Sequence, residues 1–195
     1  MRRLLFCVPM IILLSACSGT AEISQAEQLA LVIRGEYLEA ESCLTQVSLT
    51  ADYGQRVYQY ELEASVTPEE TTLTLTAPET VSGVVAHLQD GESALEYDGM
   101  WVDTGPLDNQ GLTPVSAVPA LLEAARGGYI TACSTVEEGN QTLLRVDCGD
   151  PEGTPGQGTE ISLWFSCDSH ALVRGEIRSD GFRTVSCTFV SFTMS

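Results

Sequence analysis

Hydrophobic and polar positions change period three times along the chain. Ser24-Gln25-Ala26-Glu27 reads as a capping box. Leu29, Val32, Ile33, Tyr37 and Leu38 then recur at helical spacing, predicting a helix over 24–41 with Gly35 as its weak point. Period-2 alternation follows. Val47, Leu49, Ala51 and Tyr53 alternate with Gln46, Ser48, Thr50 and Asp52; after Gly54, Tyr58, Tyr60, Leu62, Ala64 and Val66 alternate with Gln59, Glu61, Glu63 and Ser65. Leu73, Leu75 and Ala77 alternate with threonines, and short runs at 84–89, 94–97 and 100–103 are joined by Asp90-Gly91 and Asp98-Gly99. An Asp-Gly pair between alternating runs is a strong hairpin signal. The pattern predicts an antiparallel meander with one apolar, aromatic face and one polar, acidic face.

The helical period returns once. After a loop at 104–112, Thr113-Pro114 fits an N-cap followed by N1 proline, and Val115, Val118, Leu121, Leu122 and Ala125 share a helical face up to Gly127-Gly128. Pro119 is expected to split this helix into a turn and a shorter piece. A hairpin over 129–137 and 142–148 comes next, then a Gly/Pro/Thr-rich loop at 149–159. Three last strands are expected at 160–166, 172–178 and 182–193. About eleven strands and two helices run without a linker between them, so one α+β domain is expected. A long antiparallel sheet must twist and curl, which makes a half-barrel with a concave apolar face. The N-terminal helix and the central helix are the natural lid, and such concavities are either filled by side chains or left open for an apolar ligand.

The start of the chain follows different rules. Met1-Arg2-Arg3 precedes an apolar stretch at 4–14, broken only by Pro9, and Leu14-Ser15-Ala16-Cys17 follows. A charged start, a short apolar run and small residues before a cut site make a secretory signal. The tetrapeptide resembles the bacterial lipobox, in which the Cys receives a diacylglyceryl group and becomes the new N-terminus. The expected organisation is a signal peptide at 1–16, a lipidated tether at 17–23 with the lipid on Cys17, and the half-barrel at 24–195. That places the protein on the extracytoplasmic face of the cell membrane, which it contacts through the N-terminal lipid. A single acyl chain anchors only marginally, whereas two or more hold stably.

Charge then removes whole classes of function. The chain carries 27 Asp+Glu against nine Lys+Arg, and all nine are Arg. A net charge of −18 repels phosphate backbones, so no nucleic-acid partner is expected. Without lysine there is no P-loop lysine, Schiff base or Ser-x-x-Lys acyl-enzyme. Loss of Arg2 and Arg3 with the signal leaves seven Arg against 27 acids, or −20.

The remaining chemistry is sparse. Of the seven cysteines, 7 leaves with the signal and 17 carries lipid. No Cys-x-x-Cys occurs among 43, 133, 148, 167 and 187, which argues against zinc ribbons and thioredoxin-like motifs. Cys133 and Cys148 fall on one hairpin as diagonal neighbours, with Cys133 opposite Val146 or Asp147. Cys167 and Cys187 lie two strands apart, with Cys187 expected level with Trp164. A bridge in either pair and buried free thiols are the alternatives. His87 and His170 are the only histidines, and Cys167-x-x-His170 would be half a metal site with no second half. There is no Gly-x-Ser-x-Gly elbow. Glu61, Glu63, Glu69-Glu70 and Glu137-Glu138 read as a solvated face. No enzyme activity and no cofactor are expected.

Four stretches in order resemble the LolA/LolB-like superfamily of bacterial lipoprotein carriers: 57–62 leading to 75–79; Leu95-Glu96-Tyr97-Asp98-Gly99-Met100-Trp101; 114–122; and 161–165 with 173–177, Asp180-Gly181 and 189–192. Between the late strands, the family's Asp-x-x-Thr-Gly-Leu-Pro stands here as Cys167-Asp168-Ser169-His170-Ala171-Leu172-Val173. The resemblance implies a curved sheet that holds acyl chains under helical lids. A lipid or a lipoprotein is then the expected ligand. The candidate cavity residues are Tyr58, Tyr60, Leu62, Trp101, Val118, Leu121 and Leu122, where early strands meet the central helix. The alternative is an envelope sensor or protein-interaction module on the same fold, with an envelope protein as partner and no lipid cargo.

Overall fold

The computed structural model describes residues 24–195. The signal segment, Cys17 and the tether lie outside the described residues. Helix α1 (Gln25–Glu39) precedes strands β1 (Cys43–Asp52), β2 (Val57–Val66), β3 (Thr71–Ala77), β4 (Val85–Gln89), β5 (Glu92–Tyr97) and β6 (Met100–Pro106). Helix α2 (Pro114–Gly127) leads to β7 (Ile130–Glu138), β8 (Gln141–Cys148), β9 (Thr159–Ser166), β10 (Leu172–Ser179) and β11 (Phe182–Met194). All eleven strands form one antiparallel sheet in the order β6-β5-β4-β3-β2-β1-β11-β10-β9-β8-β7. The sheet is open at β6 and β7, giving the curled α+β architecture that the alternation predicts.

Local chemistry sets most of this. The Ser24 hydroxyl accepts from the Glu27 N–H at 3.2 Å and the Glu27 carboxylate accepts from the Ser24 N–H at 2.8 Å, closing the capping box. Thr113 and Ser116 cap α2 in the same reciprocal way. Asp90-Gly91, Asp98-Gly99 and Asp180-Gly181 all have positive φ at both residues, as two-residue type I′ hairpins require. Six register shifts, at Gln46/Val47, Glu61/Leu62, Ser93/Ala94, Ile130/Ala132, Leu172/Arg174 and Ile177/Arg178, increase the local twist and bend the sheet.

Two expectations change. Pro119 does not split α2, which runs unbroken over Pro114–Gly127. Its missing N–H removes one bond near the helix start, while burial of Val118, Leu121 and Leu122 holds the turn in place. Cys187 pairs with Gly175 and so stands level with Leu163, not Trp164. The shifts flanking β10 move the pairing by one residue, and that turns Cys187 to the core face. Cys133 lies opposite Val146, as expected. The five described cysteines are free thiols.

The core lies between the concave face and the helices. α2 crosses under β9, β10, β11 and β1, while α1 packs on α2, β7 and β8. Tyr37 fastens α1: its ring stacks on Phe192 at 5.6 Å and meets Phe165 edge-on at 5.4 Å, and its hydroxyl donates to the His170 carbonyl at 3.2 Å. Toward β6 the core row of Leu62, Ala64, Val66, Leu73, Ala86 and Leu88 stays buried, whereas Tyr58, Tyr97, Met100 and Val102 on the same face are exposed.

Candidate functional site

The concave face divides into a filled half and an open half. Under α2, Val118 and Leu121 are fully buried and Leu122 nearly so, as is Leu62 on β2. Leu121 reaches Gly175 so closely that a Cβ there would sit 2.6 Å from both of its δ carbons. Between α1, α2, β8 and β9 the remaining space is about 10 Å³. This half is a packed core.

On the open half, Ala51 pairs with Tyr58, Leu49 with Tyr60 and Val47 with Leu62, so both tyrosines point to the concave side. The rings of Tyr58 and Tyr60 stack at 6.5 Å, and Tyr53 meets Tyr58 edge-on at 6.1 Å. The Tyr53 hydroxyl donates to the Leu112 carbonyl at 2.9 Å, tying the row to the strap at 107–113. Burial, and then the neighbouring Tyr60 and Tyr58, push its phenol above the ordinary tyrosine value. The strap is shaped by Asp108, whose carboxylate accepts from the N–H groups of Gln110 and Leu112. Gly111 has φ +74° and lies against Ala120 and Ile177, so a side chain there would collide with both.

The row continues across the sheet. Leu95 pairs with the buried Ala86 on one side and Val102 on the other, and Tyr97 pairs with Met100. Tyr97, Met100 and Val102 therefore share the concave face, and they are 53, 65 and 59 % exposed. From β2 to β6 is four strand spacings, about 19 Å.

The structure separates the seven candidate residues. Tyr58 and Tyr60 lie on the open concave half. Leu62, Val118, Leu121 and Leu122 lie in the packed core. Trp101 is on the outer face, where it pairs with Glu96 and stacks on His87 at 4.5 Å. Tyr97, Met100 and Val102, absent from the candidate set, join the tyrosines. A signal for them was present: a two-residue Asp-Gly turn puts Met100 opposite Tyr97, and alternation then sends Trp101 to the other side.

The outer face carries the polar chemistry. His87 sits between Glu70, 2.6 Å from Nδ1, and Glu96, 3.1 Å from Nε2. Burial pulls its pKa down, but the hydrogen bonds to Glu70 and Glu96 prevail, and the value lies above the ordinary one. Trp164 is flanked by the guanidinium groups of Arg174 at 4.1 Å and Arg145 at 5.3 Å. Asp147 accepts from Arg145 at 2.9 Å and from Ser162 at 2.6 Å; both Arg178 and Arg183 pair with Glu176. A cleft of about 630 Å³ of mixed polar and apolar lining, with Tyr129, Ile130, Arg145, Asp147, Ser162 and Arg178 on its walls, opens beneath the 149–158 loop. His170 does not face Cys167 as a ligand partner; its Nδ1 bonds Glu36 at 2.8 Å and clasps the turn to α1. Among the described residues no group of three or more His, Cys, Asp or Glu is placed to hold a metal ion. No described helix is long and apolar enough to cross a membrane.

No family model matches the chain, and no curated protein matches it in sequence. Solved structures do match it in shape. An uncharacterized conserved protein from Thermus thermophilus aligns with a TM-score of 0.50 at 10 % identity, covering 88 % of each chain. A DUF1329 family protein from Desulfovibrio piger gives 0.50 at 8 % identity, covering 89 % of this chain and 93 % of the other. A LolA superfamily protein from Nitrosomonas europaea gives 0.48 at 9 % identity, covering 87 % and 93 %. At these identities the likeness is one of fold alone.

Proposed function

We propose that the chain is a lipid-anchored extracytoplasmic binding protein. A diacylglyceryl group on Cys17 tethers it to the cell membrane, and the open concave half takes the acyl chain of a lipid or lipoprotein. The reading is carried by one observation: Tyr97, Met100 and Val102 share the concave side of the β5–β6 hairpin and are each more than half exposed, with Tyr58 exposed on the same side of β2. Singly exposed apolar residues are ordinary, whereas a shared face of them marks a binding surface. In this reading Tyr58 and Tyr60 form the floor, Leu62 supports them from the core, and Met100 and Val102 form the outer rim. Val118, Leu121 and Leu122 act as the fixed wall. The role is binding, with no catalytic step.

The test has two arms. Radiolabelled palmitate should enter the full chain and be lost in Cys17→Ala. An apolar fluorescent probe such as N-phenyl-1-naphthylamine should bind the detergent-extracted chain, and Tyr58→Asp with Met100→Asp should weaken it at least about tenfold. Undiminished probe binding in that variant would remove the open half as the site.

The filled half supports a second reading, an envelope sensor or interaction module without lipid cargo. Leu121 and Leu122 occupy the volume that an enclosed acyl chain would need. Photo-cross-linking from Tyr97 in intact cells distinguishes the two: a discrete protein adduct with no co-purifying lipid favours the module.

A further inference from the structure

The two ends of the sheet are finished differently. At one end α1 packs against β7, whose last residues are Glu137 and Glu138. At the other end β6 has no neighbour on its far side among the described residues. It carries Met100, Trp101 and Val102 in consecutive positions, all more than half exposed. Sheets ordinarily protect an edge with a helix, charge, a bulge or proline, and an uncovered apolar edge is a template for pairing. The far part of β6 is blunted. Asp103 accepts from the Gly105 N–H at 2.9 Å, Gly105 is left-handed, and Pro106 has no N–H. The stretch around Trp101 is not.

We propose that β6 pairs antiparallel with β6 of a second copy of this chain, across a two-fold axis at Trp101. The backbone sets the register. Asp98 and Gly99 have φ of 52° and 74°, so the β5–β6 turn is a two-residue type I′ hairpin. Its closing pair, Tyr97 and Met100, exchanges hydrogen bonds, and alternation then aims the N–H and C=O of Trp101 out of the open edge. A two-fold axis there lets each Trp101 exchange both bonds with its equivalent. The same register sets Met100 opposite Val102 of the second copy, twice, on the concave face. On the outer face Trp101 meets Trp101 of the second copy. Every opposed pair on the contact is apolar.

The neighbouring registers are worse. A shift of one residue sets concave side chains against outer ones. Centring on Asp103, the next outward residue, opposes two carboxylates in a chain of net charge −18. Three side chains a side bury less than the ~1,200–2,000 Å² of a stable complex, so the pairing is weak and is to be captured by cross-linking. It joins the two open concave halves into one surface, but it stands on the edge geometry and not on the ligand.

The test uses the full-length chain in isolated membranes. In Met100→Cys/Val102→Cys the substituted positions of the two copies face each other in non-hydrogen-bonded pairs, about 4.5 Å between Cα atoms, which suits a disulfide. In either single variant they are diagonal, about 7–8 Å apart. Copper phenanthroline and dissolved oxygen supply the oxidant. The double variant should give a disulfide dimer at least about fivefold above either single variant and the parent. Adding Trp101→Lys should return it to the parent level. A double variant no more cross-linked than the singles overturns the proposal, and so does indifference to Trp101→Lys. Cys187, fully buried, must stay unreactive to maleimide as the folding control. Where it does not, spin labels on Asp98→Cys replace the disulfide: one defined inter-label distance supports the pairing, and its absence overturns it.

Discussion

The two halves of one continuous sheet are held together by different physics. From β7 to β1 the concave side lies under helices, and apolar packing dominates: Ile33, Tyr37, Leu121, Leu163, Phe165 and Ile177 are all buried. From β2 to β4 the concave row of Leu62, Ala64, Val66, Leu73, Ala86 and Leu88 is still buried, but beyond it Tyr97, Met100 and Val102 of the β5–β6 hairpin are exposed, and polar clasps add to the strand pairing there. Those clasps are the His87–Glu70–Glu96 bridge and the Ser93 hydroxyl with Thr104 and the Gly105 carbonyl. A uniform strand pattern therefore need not mean a uniform core. The hairpin that lies beyond the packing is the part that offers a surface.

Substitutions in each half put this contrast at risk. The largest effect is expected at Leu121. Leu121→Ala leaves a cavity in the packed half and should lower unfolding stability by about 2–5 kcal/mol, whereas Met100→Ala should change it by less than ~0.5 kcal/mol. Urea unfolding of both variants decides, and equal losses would end the distinction. Gly175→Ala should cost about 1–3 kcal/mol by forcing Leu121 aside. Gly35 gives the opposite sign. It lies inside α1, and a methyl group added there would meet nothing within 4 Å. Gly35→Ala should therefore stabilise by about 0.5–1 kcal/mol in thermal unfolding.

The smallest effect concerns pH. The native His87 pKa lies above its ordinary value, with the paired carboxylates opposing burial. The stabilisation from the clasp is therefore complete below the unfolded value of about 6.5 and fades as pH rises through the native one. His87→Ala should destabilise by up to ~1 kcal/mol at pH 5.5 and by less at pH 9. Denaturation midpoints at the two pH values check it; a larger loss at pH 9 would reverse the sign.

Much of the fold was legible because it is local. The capping box at Ser24, the proline after Thr113 and the three Asp-Gly turns each dictate backbone within a few residues, and the alternation counts eleven strands. The candidate site was less legible. Tyr58 and Tyr60 were placed on the concave face by alternation alone. Trp101 faces outward because the two-residue Asp98-Gly99 turn sets Met100 opposite Tyr97 and sends the next residue to the other side. Leu121 and Leu122 share an apolar helical face, which the sequence cannot distinguish from a cavity wall, since either lining is made of the same residues.

Periodicity, turn type and charge were already settled in the order of the residues: two amphipathic helices, a meander with one acidic face, and the lipobox-like start. Those follow from nearest-neighbour sterics and hydrogen bonding. It took the assembled fold to show that β1 pairs with β11, joining residues such as Thr45 and Phe192, and that both helices fall mainly on one side of that seam. Pairing across so long a loop is chosen by which faces can be buried together, a property of the whole chain and not of any segment. The same choice left Tyr97, Met100 and Val102 uncovered.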